Sequence, residues 1–112
     1  MLRAHTTLDL GHFLTYLSER QETIASNIAN ADTPGYKTRD VESPGDFSAA
    51  LRDVQDSVVE VSGLAARNDG NNVSIDREAR LLSENTMQFN LATQLLRGKL
   101  KSLRSAIQEG RA

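Results

Sequence analysis

No cysteine occurs among the 112 residues, so the chain has neither a disulfide framework nor a thiolate metal site, and its redox compartment stays open. Tryptophan is absent as well, and only three Phe and two Tyr are available. A core must therefore come from Leu, Ile, Val and Ala, a composition that favours helix seams over a thick globular centre. At this length the chain is one domain at most. Basic charge is not in excess: 13 Lys and Arg stand against 15 Asp and Glu, a formal net charge of −2. Without a basic stripe to neutralise phosphates, no nucleic-acid partner is expected. Long apolar runs are missing too. From Met1 to Asp9 the few apolar residues are interrupted by His5 and Asp9, so neither a cleavable signal peptide nor a membrane span is expected. Departure from the cytoplasm would need another route.

What the sequence does contain is helical periodicity at both ends. Leu10, Leu14, Leu17, Gln21, Ile24, Ile28 and Ala31 step by four and three, keeping one stripe on one helix face that only Gln21 interrupts. Ser18, Glu19, Arg20, Glu22 and Thr23 lie between them as a solvated face. The spacing predicts a first helix from about Thr7 to Asn30. Asn30 is expected as a left-handed C-terminal residue, and Pro34 forbids continuation. Thr33-Pro34-Gly35-Tyr36 then offers Pro and Gly at the two central positions of a type II turn.

Near the other end, Leu82, Thr86, Phe89, Thr93, Leu96, Leu100, Leu103 and Ile107 alternate the same steps over about four heptads. They predict a second helix over Ile75 to Glu109, capped by Ser74, with Asp76 and Glu78 well placed in its first turn and Gly110 at its end. At 1.5 Å per residue it would be roughly 50 Å long, so an elongated molecule follows. The fold class is thus mainly α: two long terminal helices in an antiparallel coiled-coil hairpin around a small irregular insert. Residues 1–31 supply the first helix, 32–73 the turn and insert, and 74–112 the second helix.

Two turn clusters punctuate the insert, Ser43-Pro44-Gly45-Asp46 and Asn68-Asp69-Gly70-Asn71-Asn72. Phe47, Leu51, Val54 and Val58 are spaced as a short helix capped by Asp46, whereas Val58, Val59 and Val61 also suit a short strand. The reading favoured is helix over the first half and extended chain after it.

Chemistry-bearing constellations are thin. His5, Asp9 and His12 are spaced i, i+4 and i+7, and would share a face suited to a weak zinc site if the helix reached back to Leu2. Surface His and Asp near a helix end without supporting partners favour the bland reading. With only those two His, no Ser-His-Asp arrangement can be argued, and Gly63, Gly70 and Gly98 make no phosphate loop. No catalytic residue, metal, cofactor or small-molecule substrate is expected.

The helix faces carry more. Met87, Leu91 and Leu95 form an i, i+4, i+8 ridge largely opposite the second-helix seam. Either the insert covers it, or it meets a neighbouring subunit. Asn27 and Asn30, beside the first stripe, either fray and cap the helix end or bond across helices to fix their register.

The run Ile24-Ala25-Ser26-Asn27-Ile28-Ala29-Asn30-Ala31-Asp32-Thr33-Pro34-Gly35-Tyr36 resembles the N-terminal signature of bacterial flagellar rod, hook and related axial proteins, and its Asp-Thr-Pro-Gly-Tyr ending is most similar to the proximal rod member. A second match, Asn72-Val73-Ser74-Ile75-Asp76-Arg77-Glu78 with Gln94-Leu95-Leu96 and Lys101 to Ile107, resembles the C-terminal helix of the same protein. The resemblance implies a structural subunit whose terminal helices form a coiled coil and pack into a helical tube across the periplasm, transmitting torque for motility. It implies export by the flagellar type III apparatus without a cleaved signal. Its partners would be other rod subunits, proteins joining rod to membrane ring, copies of itself and the export apparatus. Met87, Leu91 and Leu95 would then be a subunit interface, and ordering on assembly is expected because a two-helix seam buries little. The alternative from another class is a helical-hairpin adaptor or export chaperone that is not built into the rod.

Overall fold

The computed structural model describes residues 2–42 and 58–110; for residues 2–9 it gives the backbone course alone. Four elements follow one another: α1 (Leu2–Ala29), β1 (Arg39–Val41), β2 (Val58–Glu60) and α2 (Ile75–Gly110). The first helix begins about five residues earlier than its apolar stripe suggested, since Leu2 to Thr7 contain no Gly or Pro to stop it. Asn27 meets Glu78, and Leu17 with Gln21 meets Asn85. Partners thus run in opposite directions along the two helices, which pack antiparallel in a particle 70 × 24 × 16 Å.

Helix α2 starts as its capping sequence dictates. The Ser74 hydroxyl accepts the Arg77 N–H at 3.3 Å and the Ser74 carbonyl accepts that of Glu78 at 3.0 Å, with Asp76 and Glu78 in the first turn. Helix α1 ends differently from expectation. Asn30 is not left-handed, for positive φ is confined to glycines among the described residues. Instead the last turn tightens: the N–H groups of Asn30, Ala31 and Thr33 reach carbonyls three residues back, at 3.1–3.2 Å. The Asn30 side chain donates to the Ser26 carbonyl at 2.8 Å. The type II turn is present, with Gly35 at φ 76° and the Tyr36 N–H on the Thr33 carbonyl at 3.2 Å.

The two short strands pair antiparallel, Arg39 opposite Glu60, Asp40 opposite Val59 and Val41 opposite Val58. Val58 and Val59 therefore adopt the strand alternative. The short helix expected over Phe47, Leu51 and Val54, its Asp46 cap and the turn at Ser43 to Asp46 lie outside the described residues. Among the described residues the sheet packs on one flank of α1. Buried Tyr16, Leu17, Val41 and Ala92 form a cluster with Phe13, Leu14 and Val58 against it, and the Phe13 and Tyr16 rings stack at 6.1 Å. Arg20 clamps the same flank with two hydrogen bonds to Asp40, at 3.1 and 3.3 Å. Burial works to lower the Arg20 pKa, but the hydrogen bond and charge of Asp40 outweigh it and hold the guanidinium above its ordinary value. That contribution is present at every pH below the ordinary arginine value, so it adds no pH dependence near neutrality.

The seam on α2 is turned relative to the apolar repeat. Glu78, Asn85 and Ala92, seven residues apart, are its buried positions, while Leu82, Leu96 and Leu103 are half-buried. Phe89, Leu100 and Ile107 are exposed. A heptad reading favours the largest apolar side chains, but two helices approach closely over small Ala92 and over polar groups whose partners lie on α1. On α1, Leu17 and Ile24 are buried and Leu10, Leu14 and Ile28 half-buried.

Candidate functional site

The densest constellation of buried polar groups sits where α1 ends, β1 begins and α2 starts. Asn27 is fully buried, and its amide uses all of its hydrogen-bonding capacity. Nδ2 donates to the Arg39 carbonyl at 2.7 Å and to Glu78 Oε2 at 3.0 Å. Oδ1 accepts the Arg39 N–H at 3.0 Å and the Tyr36 hydroxyl at 3.1 Å. One side chain of α1 thereby holds the first strand, the turn and the second helix together. Glu78 is fully buried as well, but its charge is not isolated: Oε1 accepts from Arg77 at 2.7 Å while Oε2 takes Asn27.

A second amide closes the other side. Asn71 is fully buried; its Nδ2 donates to the carbonyls of Asn30 and Thr33 at 2.9 and 2.8 Å, and its Oδ1 accepts the Val73 N–H at 2.8 Å. The carbonyls left over where α1 stops are thus satisfied from a loop some forty positions on. Arg67 adds bonds to the carbonyls of Ala31 and Val73, Lys37 to that of Gly70 at 2.6 Å, and Asn72 Oδ1 takes the Thr38 N–H at 2.7 Å. Two glycines let the loops approach: Gly70 has φ 86°, and a Cβ there would lie 3.4 Å from the Gly35 Cα. At Gly70 any other residue would be strained.

Of the family-signature residues, Asn27 is at the centre of this joint and Tyr36 on its rim, with Arg39 over the Tyr36 ring at 6.0 Å. Ser26 Oγ lies 3.4 Å from the Tyr36 hydroxyl, and Asn30 binds within its own helix end and accepts the Thr33 hydroxyl at 3.0 Å. Ile28 is half-buried, while Ala29, Asp32, Pro34 and Gly35 are exposed. Glu78 and Asn71 were read as a first-turn acid and a turn former, and Asn85 was not singled out. Nothing in hydropathy marks them as buried. The one available signal, and for Glu78 alone, was that it falls inside the second resembling segment, Asn72 to Glu78.

Among the described residues no three His, Cys, Asp or Glu come together. Helix α1 does reach back to Leu2, the condition for His5, Asp9 and His12 to share a face, but the side chains of His5 and Asp9 lie outside the described ones. Met87, Leu91 and Leu95 are 71%, 58% and 53% exposed.

The stretch that builds the joint is also where comparison with known proteins succeeds. A family model described as "Flagella basal body rod protein" matches residues 14–37. Over nearly the whole chain, the flagellar basal body rod protein FlgB of Yersinia ruckeri is 31% identical over 126 residues, covering 87% of this chain and 89% of the relative. That of Borrelia hermsii is 31% identical over 129 residues, with 91% and 96% covered. That of Escherichia coli K12 is 29% identical over 122 residues, with 87% and 88% covered. Identity of 31% over most of the length of both chains, with the family match at residues 14–37, assigns the sequence to the FlgB family of flagellar basal body rod proteins.

Proposed function

We propose that the chain is a structural subunit of the proximal part of the flagellar rod, exported by the flagellar type III apparatus without a cleaved signal. There it packs with copies of itself, other rod subunits and the proteins that join rod to membrane ring, in a helical tube that carries torque. The observation that carries this reading is the joint itself. Asn27, inside the stretch matched by the family, centres a buried cluster whose hydrogen bonds fasten helix, turn, strand and second helix to one another. A subunit under mechanical load needs its two helices fixed in register, and buried amides bonded to backbone provide that more strictly than apolar contact does. Among the described residues no helix is long and apolar enough to cross a membrane.

Deleting the gene is expected to abolish motility and the rod, and the tagged protein is expected to co-purify with washed basal bodies. A motile deletion strain with intact rods would sink the proposal. Protein confined to the cytosol would favour the adaptor reading. Leu91→Asp separates folding from assembly. The side chain is 58% exposed, so the substitution is expected to shift stability by no more than about 0.5 kcal/mol, while a charge on the ridge blocks packing against a neighbour. The variant should be made and exported yet missing from basal bodies; normal incorporation counts against the ridge as an interface.

A further inference from the structure

The sheet lies on one flank of the hairpin, and among the described residues nothing covers the seam on the opposite flank. There Ser18, Gln21 and Glu22 of α1 and Thr86 and Phe89 of α2 enclose a mostly apolar cavity of about 260 Å³. This lies below the roughly 300–1,000 Å³ of small-molecule sites and suits one or two protruding side chains. Leu91 and Leu95 lie on α2 about 120–180° around from Phe89 and Thr86 at 100° per residue, so one chain cannot bring ridge and cavity together. Charge distinguishes the two surfaces. Around and beyond Leu95 stand Arg97, Lys99, Lys101 and Arg104, all exposed, with no acidic residue between Glu84 and Glu109. Beside the cavity stand Glu19 and Glu22, and neither makes an ion pair among the described residues. Gly98, one turn beyond Leu95, is exposed, and nothing lies within 4 Å of where its Cβ would be, which leaves room for another backbone to come close.

We infer that the ridge of one copy seats Leu95 in the seam-edge cavity of a second copy of this chain, with the basic stretch after Leu95 facing Glu19 and Glu22. Since ridge and cavity are different patches, the contact is heterologous and repeats from copy to copy without closing on itself as a two-fold dimer would. The inference rests on the rod-subunit reading for its setting, but makes a separate claim about which surfaces meet.

The chain has no cysteine, so the contact can be tested by disulfide trapping without background. Two differently tagged versions, one Ser18→Cys and one Leu95→Cys, are co-expressed in a deletion strain, and isolated basal bodies are oxidised. A mixed-tag dimer is expected at least tenfold above a Glu60→Cys and Leu95→Cys control. Glu22→Lys in the first chain should cut the yield at least fivefold, and Lys99→Glu in the second should restore it. Assembled rods with only control-level dimer would overturn the inference while leaving the rod function standing, as would Leu95→Cys joining a different protein. If the chain is absent from basal bodies, the rod reading fails, and the same pair is tested in concentrated purified chain. Mixed-tag dimer above control there supports the contact, and control-level dimer overturns it too.

Discussion

Asn27→Asp is expected to destabilise the hairpin strongly at neutral pH and to remove the chain from basal bodies. The substitution conserves shape and replaces one NH2 by an oxygen. The lost group donates to the Arg39 carbonyl and to Glu78, so the new oxygen faces two acceptors, one a carboxylate, in a site where Asn27 and Glu78 are both fully buried. Disrupting a buried charged arrangement in this way costs roughly 3–5 kcal/mol. A domain of this size holds only about 5–15 kcal/mol in total. Urea unfolding followed by circular dichroism measures the loss, and immunoblotting of basal bodies measures its consequence. The sign of the pH dependence is set by the like charges. Two facing carboxylates raise the folded-state pKa of one of them, so the deficit is largest at neutral pH and above and shrinks as pH falls through that raised value. Asn27→Leu, with no added charge, should show no such recovery. An Asn27→Asp protein that unfolds at the wild-type midpoint would mean that the joint does not hold the helices.

Leu17→Ala should give the other large loss, about 2–5 kcal/mol. Leu17 is fully buried in the cluster where α1, α2 and the sheet converge. The urea midpoint should fall with an unchanged slope, independently of pH. Ile28→Ala, at a half-buried seam position, is expected to lose less than half as much. Equal losses at the two sites would show that the core does not centre on Leu17. Taken with Leu91→Asp, these variants distinguish loss of the joint, loss of the core and loss of a surface contact by pH dependence, stability and incorporation.

The elements that could be read from the residues are those governed by local chemistry. Ser74 with Asp76 and Glu78 marks the start of α2, and Pro34-Gly35 marks the turn, because capping and φ preferences act within a few residues. The two helices follow from periodicity. The faces they present to one another do not, since apolar spacing assigns Asn85 and Glu78 to solvent, and it takes partners 51 to 68 positions away, with Arg77 beside Glu78, to make their burial tolerable. Asn71 reads as a turn former for the same reason: its two carbonyl partners belong to the end of another helix. Asn30 shows a local rule overridden. It suits a left-handed cap, but the chain tightens into three-residue turns instead, and Asn71 then takes up its carbonyl.

The pairing of Asn27 with both the N–H and the carbonyl of Arg39 has a consequence for solubility. Main-chain groups along a strand point alternately to either side. The Thr38 carbonyl faces β2, where it accepts the Val61 N–H at 2.9 Å, and those of Arg39 face away from it. A sheet of two short strands would ordinarily present such groups as a template on which a foreign strand could add. At Arg39 the template is already occupied, because a single amide from α1 takes the place that a third strand would fill. With Asn27 bonded there, the strand edge at Arg39 is closed to addition by a foreign strand, which disfavours edge-to-edge aggregation.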